Sequence, residues 1–233
     1  MSIINFQEVA VRLTASRLES YLQAADGEIE AAVRLYDWNA NTAGALHEDL
    51  GRLEVIFRNT VDNALSAYGM AAGWPDVWYR QTRLFPGRHA RRAREDIAAA
   101  RQRATRGGRR AEVHGRVIAE LNFGFWRYLC EPPYLTSLWV PAVASAFPLH
   151  PSARHPEQVR VDVADRMQRL HFLRNRIAHH EPIHRRDLSR DHGQLLELVG
   201  WMCSESRYWV AATSRTPEVI ASRPEVAIGE EGR

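Results

Sequence analysis

The sequence predicts an all-α fold, and three observations carry that reading. No run shows sustained period-two alternation of apolar and polar residues, so no sheet is indicated. Apolar residues instead recur at three- and four-residue spacing, as in Leu46, Leu50, Leu53, Phe57, Val61 and Ala64, or Val163, Met167, Leu170, Leu173 and Ile177. Glycine and proline cluster between such stretches, as at Gly73-Trp74-Pro75, Gly107-Gly108 and Glu131-Pro132-Pro133.

In order, Phe6–Ala25 and Glu28–Trp38 read as amphipathic helices, followed by a long helix over Asn41–Tyr68. Residues 69–86 carry Gly69, Gly73, Pro75 and Pro86 and read as a loop plugged by aromatics. A basic helix over about 88–106 stops at Gly107-Gly108, because glycine readily adopts the left-handed turn that ends helices. Residues 112–129 predict a helix bent near Gly124, and 138–147 a short one. Helices at Pro156–His180 and Leu188–Trp209 complete the expected single domain of residues 1–213, in which about 80–116 is a basic insertion. From Ser214 the composition turns polar around an imperfect Pro-Glu-Val repeat, so 214–233 is expected to be a disordered tail.

At 233 residues, 45% hydrophobic and 25% charged, the chain has ordinary soluble composition and the length for a sizeable core. No stretch approaches ~20 uncharged apolar residues, and the first residues lack a basic stretch followed by an apolar one. A cytoplasmic protein without membrane contact is therefore expected. Cys130 and Cys203 lie far apart on apolar segments and are expected to be buried, reduced thiols. All 31 basic residues are arginine, and the net charge is +3. Twelve arginines fall between Arg80 and Arg116 against Glu95, Asp96 and Glu112. That density suits nucleic acid, with Arg88, Arg91, Arg92, Arg109 and Arg110 as candidate RNA contacts. The same run is equally compatible with a solvated helix face.

Residues 171–184 concentrate Arg174, Asn175, Arg176 and four histidines before and just after Pro182. An arginine that stabilises phosphate charge, near a histidine able to move protons around neutral pH, is what metal-free RNA cleavage requires. Arg174 falls on the apolar stripe of its helix, and His179 lies ~140° further round at 100° per residue. Arg174 could also be a core arginine bound to a carboxylate such as Glu54, since a buried charge must be paired. His179 could simply face the negative helix terminus. Asn175, one turn before His179, could orient its imidazole or be a surface residue. His180, Glu181 and His184 read as loop or rim residues. His180-Glu181-Pro182-Ile183-His184 matches the zinc-protease pattern H-E-x-x-H, but Pro182 breaks the helix that pattern needs, so no metal and no cofactor are expected. Upstream, Glu54, Arg58 and Asp62 alternate in sign at four-residue spacing, which as a solvent-facing ladder contributes only ~0.3–0.5 kcal/mol per pair.

Arg174-Asn175-x-x-x-His179 resembles the R-x(4–6)-H signature of HEPN domains. Two further segments extend the likeness to the Abi-like (abortive infection) branch of that superfamily: Leu53-Glu54-Val55-Ile56-Phe57-Arg58-Asn59, and Leu121-Asn122-Phe123-Gly124-Phe125-Trp126, where Asn122 stands for the usual serine. The resemblance implies a HEPN-type helical bundle formed by the long early helix and the last two helices. It implies a metal-independent endoribonuclease with Arg174 and His179 catalytic, and Asn175, His180, Glu54, Arg58 and Asn59 supporting. In-line cleavage needs an acid and a base on opposite sides of phosphorus, and one chain supplies one motif, so a two-fold homodimer is expected. RNA is the expected partner, together with a possible antitoxin or regulatory partner. The alternatives are a catalytically silent module that binds RNA or nucleotide, and a purely structural interaction domain.

Overall fold

The computed structural model describes residues 4–225. Among these, all regular structure is helical and no strand occurs, as the apolar spacing implies. Contacts cluster into two compact units, each assembled from separated stretches: residues up to Asp49 with Leu173–His192 and Ser214 onward, and Leu50–Phe172 with Gly193–Thr213. The described chain thus forms two units where a single domain of residues 1–213 was expected, and the stretch from Ser214 belongs to the first of them.

The first unit begins with α1 (Phe6–Leu13) and α2 (Ala15–Ala24). The single helix expected over Phe6–Ala25 is broken at Thr14, whose φ of 71° lies in the left-handed region. No glycine or proline marks the break. It lets α2 bury Leu18 and Tyr21, at 1% and 0% exposure, whereas α1 buries no residue. The two helices expected at Glu28–Trp38 and Asn41–Tyr68 are one, α3 (Ile29–Ala71), which passes from this unit into the second. Asparagine is disfavoured in helix interiors in general, because its side chain competes for backbone hydrogen bonds. Here Asn39 is buried and its Oδ1 accepts from the Ile183 amide at 2.8 Å, so it does not interrupt the helix.

The expected disordered tail is corrected over its described part. Residues 216–221 form α10, and Thr216 is completely buried. Ser214 Oγ and Thr216 Oγ1 both donate to Asp49 Oδ2, at 2.5 and 2.6 Å, and His192 Nε2 lies 3.5 Å from the same oxygen. Trp38 Nε1 donates to the Val219 carbonyl at 2.7 Å. A polar composition looked unable to bury apolar surface, but buried hydrogen bonds to a carboxylate dock this segment. Residues 226–233 of the expected tail lie outside the described residues.

The second unit contains the rest of α3, then α4 (Arg91–Ala104), α5 (His114–Glu120), α6 (Phe123–Tyr128), most of α7 (Pro156–Ala178), most of α8 (Leu188–Met202), and α9 (Ser204–Thr213). Leu50, Leu53, Phe57 and Val61 of α3 are buried as their spacing predicts, but Leu65 rather than Ala64 continues the stripe. The core is aromatic: Trp78, Trp126, Trp139, Phe57, Phe123, Phe125 and Phe147 are almost wholly buried. Each of these tryptophans has a partner for its ring N–H, in Asp62 (2.6 Å), the Leu121 carbonyl (3.1 Å) and the Leu129 carbonyl (2.8 Å) respectively. The ladder expected of Glu54, Arg58 and Asp62 does not form. Instead the Asp62 carboxylate takes the Trp78 indole and lies 2.9 Å from His114 Nε2.

The segment read as a basic insertion is part of this core, since Ala93, Ile97, Ala100 and Ala104 of α4 are buried. Glu112 gathers Tyr79, Arg80 and Arg101 at 3.1, 2.8 and 2.9 Å. The bend expected at Gly124 is a break two residues earlier, where the Asn122 side chain caps α6 by accepting from the Phe125 amide at 3.0 Å. A Cβ at Gly124 would crowd the capping Asn122 Oδ1 at 3.2 Å and make ordinary contact with His171, whose ring stacks on Phe123 at 5.8 Å. The short helix expected at 138–147 is a π turn at Leu135–Trp139 and a 3-10 turn at Val143–Ala146. The helix expected at Leu188–Trp209 is interrupted at Cys203, whose Sγ accepts from the Ser206 amide at 3.4 Å. This thiol is half-exposed and not buried as expected; Cys130 is buried.

Candidate functional site

The Arg174–His179 segment closes α7 in the first unit. Leu173 and Ile177 are buried, which leaves Arg174, Asn175 and Arg176 half-buried and His179 and His180 exposed. The His179 amide still donates to the Asn175 carbonyl at 3.0 Å, so His179 sits on the last helical turn directly above Asn175. The chain then turns sharply. His180 takes φ 54°, its amide donates to the Ile177 carbonyl at 3.0 Å, and the Glu181 amide donates to the Arg176 carbonyl at 2.8 Å. This pair of bonds is a Schellman cap, with histidine where glycine is usual.

Three side chains pin that turn. Arg17 of α2 donates to the His180 carbonyl. Arg176 folds back to donate to the Pro182 carbonyl at 2.6 Å and pairs with Glu181 at 3.1 Å. Asn39 of α3 receives the Ile183 amide. His179 and His180 are thus exposed imidazoles on a backbone held from three sides.

His184 is not the loop or rim residue that its position suggests. It is 1% exposed, stacks on Tyr21 at 4.6 Å and places Nε2 3.2 Å from Ser20 Oγ. Burial, reinforced by the nearby Arg185 and Arg223 cations, depresses its pKa to about 4, so the ring is neutral at physiological pH. His180-Glu181-Pro182-Ile183-His184 is therefore a turn leading into the core. Its two histidines do not share a helix face, as zinc-protease chemistry requires. Among the described residues no group of three or more His, Cys, Asp or Glu side chains is placed to share a metal ion.

No ion pair or hydrogen bond of the Arg174 guanidinium occurs among the described residues, in contrast to Arg176 two positions on. Arg174 is thus not a paired core arginine. At helical spacing it points ~140° away from His179.

Glu54, Arg58 and Asn59 belong to the second unit. There Glu54 and Arg58 are half-buried, Asn59 is exposed, and the Arg58 Nε is buried without a hydrogen-bond partner. Of the candidate RNA contacts, Arg88, Arg91, Arg92 and Arg109 are exposed. Arg110 is half-buried and uses Nε to hold the Ala104 carbonyl at 2.6 Å. Arg91 and Arg92 lie 3.7 and 3.9 Å from Glu95 and Asp96, and Arg92 covers the Tyr128 ring at 3.8 Å. Much of the basic density is therefore balanced internally, which leaves Arg88 and Arg109 as the stronger candidates.

The first unit also holds a groove of about 440 Å³ lined by Arg17, Tyr36, Asn39, Ala40, Ala43, Gly44, His47, Ile177, Ala178, His180 and Glu181. Of the residues singled out at the motif, His180 and Glu181 border it, whereas Arg174 and His179 do not. Tyr36, Ala40, Ala43, Gly44 and His47 form one face of α3, a spacing that was available in the sequence. Arg17 and Asn39 carried no such signal, because their roles arise from contacts with residues over 140 positions away. Comparisons with protein-family models, with curated proteins and with solved structures find no match.

Proposed function

We propose that this chain is a metal-independent endoribonuclease of the HEPN type, acting as an abortive-infection or toxin component. The observation that carries the reading is the unpaired Arg174 cation one helical turn and a half from an exposed His179 on a pinned turn. The guanidinium nitrogens of Arg174 are open to solvent and not engaged by a carboxylate, so they are available to phosphoryl oxygens.

In the proposed reaction a 2′-hydroxyl loses its proton to one His179 and attacks the adjacent phosphodiester. Arg174 stabilises the charge gathering on the phosphoryl oxygens. The P–O5′ bond breaks, the leaving oxygen takes a proton from the other His179, and the products carry a 2′,3′-cyclic phosphate and a 5′-hydroxyl. Because Arg174 and His179 diverge on one helix, the site is composite and belongs to a homodimer. Asn175, directly below His179, would orient its ring, with His180 in support, and Arg88 and Arg109 would hold the RNA backbone.

The divergence of the pair also favours a second reading, a catalytically silent module that binds RNA or nucleotide. One experiment separates them. The native chain, Arg174→Ala and His179→Ala are induced in a bacterial host, and RNA integrity is followed. The nuclease reading expects growth arrest and RNA decay from the native chain alone, with cleavage by purified protein persisting in chelator. Equal toxicity of all three chains removes the proposed site, and harmlessness of all three puts the silent module first.

A further inference from the structure

The groove on the first unit has a lining that a docking surface for RNA backbone would not need. Its floor is small and flat, made of Ala40, Ala43 and Gly44 of α3 and Ala178 at the end of α7. Its polar atoms are mostly donors. Asn39 is only 6% exposed and its Oδ1 is occupied by the Ile183 amide. Its Nδ2 has no partner among the described residues and is left for the groove that the residue lines. That nitrogen is open to solvent, so its two donor hydrogens are available to a ligand in the groove.

Arg17 lines the same groove and uses one Nη2 donor on the His180 carbonyl, leaving the rest of its fork. The imidazoles of His47 and His180 border the opening. The one carboxylate in the lining, Glu181, is engaged by Arg176 at 3.1 Å.

We infer that this groove is a binding site for a small oxyanion carried on a flat apolar body, a phosphate monoester or a carboxylate. The oxyanion is taken by the Asn39 amide, the Arg17 guanidinium and the two imidazoles, and the body lies on the alanine–glycine floor. A guanidinium beside a neutral amide donor suits either oxyanion, since both present coplanar acceptors to its fork. A volume of about 440 Å³ admits a single ring system with its anionic group and little more. Neither Arg174 nor His179 lines the groove, so the site stands whether or not the chain cleaves RNA.

The test titrates the His179→Ala chain, so that no cleavage intrudes, with adenosine monophosphate, benzoate, inorganic phosphate and adenosine, following amide chemical shifts and calorimetry. Adenosine monophosphate or benzoate should bind, the tighter of the two identifying the oxyanion. Adenosine and inorganic phosphate should each bind at least about tenfold more weakly, because each lacks one half of the ligand. Asn39→Asp keeps an acceptor for Ile183 but turns the groove-facing donor into an acceptor, and should weaken the anion by about tenfold or more. Ala40→Phe, a change at an exposed helix position, should fill the groove and abolish binding while leaving the melting temperature unchanged. Absence of binding by both anions at about 10 mM, adenosine binding as tightly as its monophosphate, or native-like binding by the folded Ala40→Phe chain would each overturn the assignment.

Discussion

Truncating the chain after Thr213 should destabilise the first unit substantially, although the removed residues are polar and were expected to be disordered. The cut removes Ser214 Oγ and Thr216 Oγ1 from Asp49, a carboxylate with no exposed surface, and takes the Val219 carbonyl from the Trp38 indole. Hydrogen bonds to a charged group contribute about 1.5–3 kcal/mol each, and the neutral indole bond adds about 1 kcal/mol. Water entering the opened site recovers part of this, so a net loss of about 3–5 kcal/mol is expected, set against a typical domain stability of about 5–15 kcal/mol. The exposed Arg215–Glu48 pair, at 3.0 Å, should contribute almost nothing to the loss.

Urea unfolding measures the change as a lower midpoint at constant slope. Two point variants locate its origin. Thr216→Val removes one donor and should cost about 1.5–3 kcal/mol, and Asp49→Ala leaves both hydroxyls without their acceptor and should cost about 3–5 kcal/mol. The double variant should fall well short of the sum, because the two changes share one interaction. A truncated chain with an unchanged midpoint, or strictly additive variants, would refute the idea that Asp49 docks the segment.

Other outcomes follow from the same geometry. The His184 pKa is depressed in the folded chain and ordinary in the unfolded one, so its contribution is intact above about pH 6.5 and declines toward about pH 4, by at most about 1.4 kcal/mol per pH unit. His150 and His192 are shifted the same way by burial, so the check is a shallower acid slope in His184→Phe than in the native chain. His180→Gly should leave stability unchanged or raise it by up to about 1 kcal/mol, since glycine adopts the left-handed cap without strain; a clear loss in thermal unfolding would contradict the Schellman assignment. A thiol reagent should label Cys203 well before Cys130: the Ser206 hydrogen bonds pull the first thiol's pKa down, and burial pushes the second one far up. Equal labelling rates on peptide mapping of the folded protein would contradict this.

The helical character of the chain and many buried faces were legible in the sequence, though not where one helix gives way to the next, because helical spacing of apolar residues is a local property that any all-α packing must respect. Val163, Met167, Leu170, Leu173 and Ile177 are buried as that spacing requires. The end of α7 near His179 followed in the same way, since Pro182 ends the helix within a few residues whatever surrounds it. What the sequence could not decide were the fates of polar side chains. Asn39 fell in the expected gap between two helices and became a core hydrogen-bond partner 144 positions from Ile183. His184 looked like a rim residue and became a neutral ring stacked on Tyr21. Thr216 looked like part of a tail and became a wholly buried donor to Asp49. Apolar burial is driven by area and can be read from a pattern, whereas a buried polar group is stable only if one particular partner arrives at hydrogen-bond distance. That partner is chosen by the tertiary structure, and so was the composition of the groove that Arg17, Asn39, His47 and His180 line together.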